Sequence, residues 1–248
     1  MLKNALLLQY KKFNMVSKMD IDKLALARSI SDLCDPLSDE QRKFLLENTH
    51  IQKFKKNERI YSEGEAPTKL MCLLEGKIKI FKDGVGGRNQ IMRVIKPVEY
   101  FGYRASFADE DYKTSASAFE SSKVCFIPMT TIKSLVNENN KLALYFIRQL
   151  SVDLGVSDER TVSLTQKHIR GRLAEALLFL KDNYGVEEDG FTLSIYLSRE
   201  DLASLSNMTT SNAIRTLSNF AIEKMIAIDG RKIKIIQEDM LRKVSDIG

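Results

Sequence analysis

The sequence predicts an α+β chain in three parts: an N-terminal antiparallel β-barrel or roll, a long amphipathic helix, and a C-terminal helix-turn-helix backed by a two-stranded wing. Three observations carry this. Short β-rich runs alternate with turn residues from residue 51 to about 127, a spacing that suits an antiparallel barrel or roll. Apolar residues then recur every four positions at Leu142, Phe146, Leu150 and Leu154, the period of one face of a helix. Finally, Ser198, Asn207 and Thr209 punctuate two short helical stretches, and β-branched runs follow on either side of Asp229-Gly230.

In chain order, residues 1–20 hold only Ala5–Leu8 as an apolar run. That is too short for a signal-peptide core or a membrane span. They read as an extension, with Met15 and Met19 as alternative starts; Lys11 and Lys12 among Leu and Phe leave a membrane-surface helix as the other reading. Residues 22–50 read as short helices broken at Asp35-Pro36, one of them opening at Ser38. Strands are expected at Arg59–Tyr61, Leu70–Leu74, Lys77–Phe81, Ile91–Ile95, Tyr100-Phe101, Thr114–Phe119 and Lys123–Ile127. The glycines from Gly84 to Gly87 suggest a phosphate cradle, but strand rather than helix follows them, so a hairpin loop is the better reading.

A helix from about Asn139 to Thr165 would span roughly 40 Å at 1.5 Å per residue, more than one core requires. Its stripe is expected to pack N-terminally on its own barrel and C-terminally on a second copy. The predicted seam is Leu142, Phe146, Leu150, Asp153, Leu154, Ser157, Thr161 and Leu164, with Asp153, Ser157 and Arg160 as polar interruptions that set register. Another amphipathic helix runs from Gly171 to about Asn183, and Thr192–Leu197 reads as a short strand.

Ser198 caps the next helix, with Glu200 and Asp201 in its first turn, where negative charge suits the dipole. Asn207 falls where the chain must turn, and Asn tolerates left-handed angles. Thr209 caps the second helix, whose Ala213, Leu217 and Phe220 point inward. Thr210, Ser211, Asn212, Ile214, Arg215 and Ser218 are left outward, types that reach base edges and phosphates. Such a second helix enters a DNA major groove. Arg231 on the wing is a further candidate.

Composition bounds these readings. With 44% hydrophobic and 29% charged residues, the chain is an ordinary globular protein long enough for two cores. Net charge is +5, yet residues 167–248 carry 12 basic and 12 acidic residues, so bulk charge lends the DNA reading no support. Cys34, Cys72 and Cys125 form no C-x-x-C pair and suit a reducing cytoplasm. His50 and His168 are too isolated for a zinc site, whereas haem stays open because one axial ligand suffices. No nucleophile–base pair, metal cluster or paired carboxylates stand out, so an enzyme is not expected.

In order, the chain holds Glu63-Gly64, Leu74-Glu75-Gly76, Phe101-Gly102, the Thr114–Glu120 strand, Gly171-Arg172-Leu173-Ala174, Leu202-Ala203-Ser204-Leu205 and Arg215–Leu217. With these, residues 25–245 resemble the Crp/Fnr family of bacterial transcription regulators, and the run Ile222–Leu241 is similar to members from the Bacteroidetes. The resemblance implies a cyclic-nucleotide-binding-like roll (21–135), a dimerisation helix (136–166) and a winged helix-turn-helix (167–248), in a cytoplasmic homodimer reading a near-palindromic operator. It also implies double-stranded DNA and RNA polymerase as partners, with no membrane. Thr209, Thr210, Ser211 and Arg215 match the family's DNA-contact positions, although an Arg-Glu pair often stands where Thr210 and Ser211 do. Ser206, Asn207 and Thr216 replace more apolar or Gly residues, which suggests a looser helix-turn-helix.

The implied effector pocket is Phe81, Phe101, Gly102, Tyr103, Lys113 and Thr114. Cyclic-AMP-binding members place a Glu after the Phe-Gly and an Arg at the next strand; here stand Tyr103 and Tyr112 or Lys113. Cyclic AMP is therefore not expected. Nor is an iron–sulfur cluster, since Cys34 alone cannot replace four ligands. The competing reading is a ligand-binding or protein-interaction module that no longer reads DNA.

Overall fold

A computed structural model describes residues 26–84 and 89–247. The readings made for residues 1–20 and for the loop Val85–Arg88 lie outside the described residues. Helices α1 (Ser31–Cys34) and α2 (Asp39–Glu47) lead into a roll of two four-stranded antiparallel sheets. One sheet runs β1 (His50–Phe54), β8 (Ser122–Pro128), β3 (Lys69–Glu75), β6 (Tyr100–Phe101); the other runs β2 (Arg59–Tyr61), β7 (Ser115–Ala118), β4 (Ile78–Asp83), β5 (Asn89–Ile95). A short helix α3 (Tyr103–Phe107) precedes β7. After the roll come α4 (Met129–Glu138), α5 (Asn140–Gln166) and α6 (Ile169–Tyr184). Then follow α7 (Arg199–Leu205), α8 (Thr210–Ile222), the hairpin β9 (Ile226–Asp229) and β10 (Lys232–Ile235), and α9 (Glu238–Ile247).

The period of two explains how one strand serves two cores. Along β3, Met71 and Leu73 join Tyr61, Ile78, Ile80, Phe101 and Phe126 inside the roll. Leu70 and Cys72 point the other way, under Ile30, Leu33, Leu45 and Ile132 of the surrounding helices. Between Lys69 and Glu75 the strand is therefore apolar without interruption, as its sequence shows. Ser38 forms a capping box with Gln41, the helix start expected from sequence. Gly102 holds φ at +83°, and a Cβ there would lie 2.1 Å from Met71 Cε and 3.3 Å from the Lys69 carbonyl. Gly102→Ala is expected to lower stability by about 2–3 kcal/mol, left-handed strain plus overpacking, read as a fall in thermal midpoint.

Helix α5 is one continuous element of 27 residues. Asn139 caps it, accepting from Lys141 and Leu142 N–H, while its amide donates to the Pro36 carbonyl and to Gln41. Its apolar stripe corrects the predicted seam. Leu142 and Phe146 are 0% and 3% exposed inside one protomer, packed among the N-terminal helices and the roll, with Leu150 against the same cluster. Asp153 accepts from Arg93 of the same chain at 2.7 Å. Those four positions face inward because the helix crosses its own roll before leaving it. Of the predicted seam only Leu154, Ser157 and Thr161 are exposed, with Leu164 half-buried. The apolar side chains that α5 leaves in solvent are centred on Leu144 (63%), Ile147 (58%), Leu154 (64%) and Val162 (52%).

Two further differences are local. Thr192–Leu197 is not a strand: Thr192 bridges Lys234 and Leu193 bridges Val186, because the Asp189 carboxylate accepts the Phe191 and Thr192 N–H groups and bends the chain. β1 and α9 carry no forecast, as β1 buries only Phe54 and α9 rests on Leu241 against α6. The C-terminal core of Leu173, Leu177, Leu202, Leu217, Phe220 and Ile233 is continuous with Phe81, Ile91, Val94 and Phe119 on the outside of the roll.

Candidate nucleic-acid interface

The helix-turn-helix forms from the signals its sequence shows. Ser198 Oγ accepts the Asp201 N–H at 3.0 Å and caps α7. Leu202, Ala203 and Leu205 are buried. Asn207 takes φ +50°, and the next N–H, of Met208, donates to the Ala203 carbonyl at 2.9 Å. Thr209 Oγ1 then accepts from the Asn212 N–H at 3.2 Å and caps α8. Ser206 and Thr216 do not loosen this packing: both are buried, and the Ser206 hydroxyl donates to the Leu202 carbonyl at 2.7 Å.

Along α8, Ala213, Thr216, Leu217 and Phe220 turn inward, while Thr210, Ser211, Ile214, Arg215 and Ser218 face solvent. Asn212 is half-buried, and its Oδ1 accepts from Arg215 Nη2 at 3.0 Å, which holds the guanidinium across the exposed face. The wing turns at Gly230 with φ +56°, and Arg199 Nη2 donates to the Gly230 carbonyl at 2.7 Å. Lys232 pairs with Glu187 at 3.5 Å and Lys234 with Asp189 at 3.1 Å. Hydrogen bonds from Thr192, then Phe191, then Lys234 hold the Asp189 carboxyl well below the usual range. Arg231 is exposed and makes no ion pair among the described residues.

Sequence reasoning missed what fixes α7 in place. Lys79 Nζ on the roll meets Asp201 at 2.7 Å. Gln90 Nε2 donates to the Ser204 carbonyl, and the Ile91 N–H to Ser204 Oγ, both at 2.8 Å. Arg160 reaches from α5 to the Ile91 and Met92 carbonyls on β5 and, at 3.3 Å, to the Leu205 carbonyl. It therefore acts within one chain and is not available to set register with a second. Arg172 links the Leu164 carbonyl at the end of α5 to the Asn207 carbonyl in the turn, both at 3.1 Å. These contacts join residues up to 122 positions apart, so local pattern carried no sign of them.

The six pocket candidates are not brought together. Ile78 and Ile80 take the interior face of β4, so Phe81 points outward, into the core shared with the C-terminal region. Phe101 lies inside the roll. Tyr103 packs on the rings of Phe107 and Phe146, with centroids at 6.2 and 5.3 Å. Lys113 is exposed beside Glu110, and Thr114 bonds Tyr61. Tyr112 stacks on Tyr61 at 3.9 Å and, with Gly102 closed against Met71, fills the interior. A cyclic nucleotide needs a buried bidentate partner for its phosphate, and neither Lys113 nor Tyr103 supplies one, so these residues do not fit that ligand.

Burial pushes the Cys34 thiol up to about 11 and the Cys125 thiol up to about 12, and it raises Cys72 as well, which favours the thiol over the thiolate at all three. Among the described residues no cluster of three or more His, Cys, Asp or Glu could hold a metal ion. His50 is exposed and stacks on Phe126 at 5.2 Å, and His168 stands at the N-cap of α6.

A β-roll joined through a long helix to a winged helix-turn-helix, whose second helix presents polar side chains to solvent, defines a DNA-binding transcription regulator. Residues 51–139 match the cyclic nucleotide-binding domain and residues 171–244 the Crp-like helix-turn-helix domain, together more than half of the chain. The chain belongs to the Crp/Fnr family of transcription regulators. Similar proteins include the CRP-like cAMP-activated global transcriptional regulator of Mycobacterium tuberculosis, 22% identical over 77% of this chain and 85% of that protein. The anaerobic regulatory protein of Bacillus subtilis is 26% identical over 77% and 82%. FixK2 from Bradyrhizobium japonicum shares the fold, with a TM-score of 0.72 at 19% identity over 79% of this chain and 96% of that structure. These relatives are regulators, not enzymes. No helix among the described residues is long and apolar enough to cross a membrane.

Proposed function

We propose that the chain works in the cytoplasm as a homodimer that reads a near-palindromic operator, placing one α8 in each major-groove half-site. Residues 21–135 form the effector-type roll, 136–166 the dimerisation helix and 167–248 the DNA-reading part. One observation supports this above others: Thr210, Ser211 and Arg215 stand exposed on α8 while its opposite face is buried. The exposed stripe of α5 around Leu144, Ile147, Leu154 and Val162 supplies the dimer seam, and the two recognition helices then lie about 34 Å apart, one duplex turn. The set Thr209, Thr210, Ser211, Asn212, Arg215, Ser218 and Arg231 forms the contact surface, Thr209 chiefly as the cap that fixes the start of α8. The roll biases the helix pair without a cyclic nucleotide, and RNA polymerase is the partner at the promoter.

Gel-shift titration against genomic fragments tests this reading: selective, salt-sensitive retardation supports it, and indifference to both sequence and salt overturns it. Arg215→Ala is expected to relax discrimination at one base pair per half-site by ~1–3 kcal/mol. Equal weakening on every sequence would make Arg215 a phosphate contact instead.

A further inference from the structure

We propose that Ile214 reads the 5-methyl group of one thymine in each half-site, an apolar contact that fixes base choice beside the polar ones; this rests on α8 being the recognition helix. Ile214 is 48% exposed, whereas Leu217 and Phe220 of the same helix are fully buried. A single exposed isoleucine is ordinary on a protein surface. This one stands apart by position: between Thr210 and Asn219 every other exposed residue of α8 is polar. Residues four apart share a helix face, so Ile214 lies in one row with Thr210 a turn before it and Ser218 a turn after.

Its neighbours leave that spot apolar. The Ser218 hydroxyl donates to the Ile214 carbonyl at 3.0 Å, so its proton is used within the helix. Around the helix, Asn212 and Ile214 lie on opposite sides of Arg215. Asn212 Oδ1 accepts from Arg215 Nη2 at 3.0 Å, and that bond draws the guanidinium away from Ile214. A base edge that meets Ile214 therefore meets methyl groups rather than a donor or a charge.

In the major groove, thymine alone among the four bases presents a methyl group. Contact between it and Ile214 takes apolar surface out of water on both partners. A cytosine in the same place presents its N4 amino group, which loses water to the isoleucine and gains no acceptor. Attraction and exclusion thus favour the same base. A β-branched side chain strongly prefers one χ1 rotamer in a helix, so little side-chain freedom is lost when the contact forms.

The test uses the full-length protein on an operator selected from random duplexes, with each thymine replaced in turn by deoxyuridine. That change removes one methyl group and keeps every hydrogen-bonding group of the base pair. By anisotropy at fixed salt, one replacement per half-site is expected to weaken wild-type binding about fourfold, and the two together roughly fifteenfold. At the same position 5-methylcytosine should bind better than cytosine. Ile214→Ala should bind thymine and deoxyuridine operators equally, with a thermal midpoint that does not fall, since alanine is the better helix former. A wild type that selects its operator but ignores every methyl group overturns the role of Ile214 alone. So does a methyl effect that survives Ile214→Ala, which would place the contact on another side chain such as Thr210. A wild type that selects no operator overturns the recognition reading along with it.

Discussion

A chain carrying Ile147→Lys and Leu154→Lys is expected to sediment as a monomer and to lose its hold on a two-half-site operator. Both side chains are more than half exposed in the protomer, so the substitutions leave its own core intact. Burying each against a partner contributes ~1.5–3 kcal/mol, and two-fold symmetry counts every position twice. The dimer should therefore lose about 6 kcal/mol or more, roughly four powers of ten in its dissociation constant. Operator affinity falls with it, by on the order of a hundredfold or more, because a lone subunit forfeits the effective concentration that a tethered second reader supplies. Sedimentation velocity and gel shift read the two effects separately. A variant that stays dimeric would place the seam elsewhere on the molecule.

Arg160→Ala is the second large effect. The guanidinium donates to three backbone carbonyls, on Ile91, Met92 and Leu205, and burial alone already presses its affinity for the proton down. Hydrogen bonds from a charged donor contribute ~1.5–3 kcal/mol each but do not add fully, so a loss of about 4 kcal/mol is expected. The dimer should survive, since Arg160 lies on the side of α5 that faces the roll. What changes is the seat of α7: calorimetry should resolve a C-terminal transition below the main one, and operator affinity should drop. A single unshifted transition would show that Lys79, Ser204 and Arg172 hold the joint without it.

How legible each part was depended on how far its signals reach along the chain. The helix-turn-helix announced itself through Ser198, Asn207, Thr209 and Asp229-Gly230, each acting on backbone within three or four residues. The long helix was equally plain in its period. Periodicity reveals which face is apolar but not where along it one partner gives way to the next, so Leu142 and Phe146, on the half expected to pack on its own roll, also stood in the predicted seam. Phe81 misled in the same way: alternation along β4 separates two faces without saying which is interior. β1 escaped notice because His50, Ile51, Gln52 and Lys53 are all exposed and only Phe54 turns in. The clamp made by Arg160, Ser204 and Lys79 lies beyond any local pattern.

The buried surface running unbroken from Phe81, Ile91 and Phe119 into Leu205 and Phe220 makes this molecule a poor donor for modular engineering. A hybrid that grafts the C-terminal reader onto a foreign sensor would carry a greasy scar with nothing shaped to meet it. Its fate would be precipitation, or capture by chaperones, unless the recipient's outer strands were recarved to match.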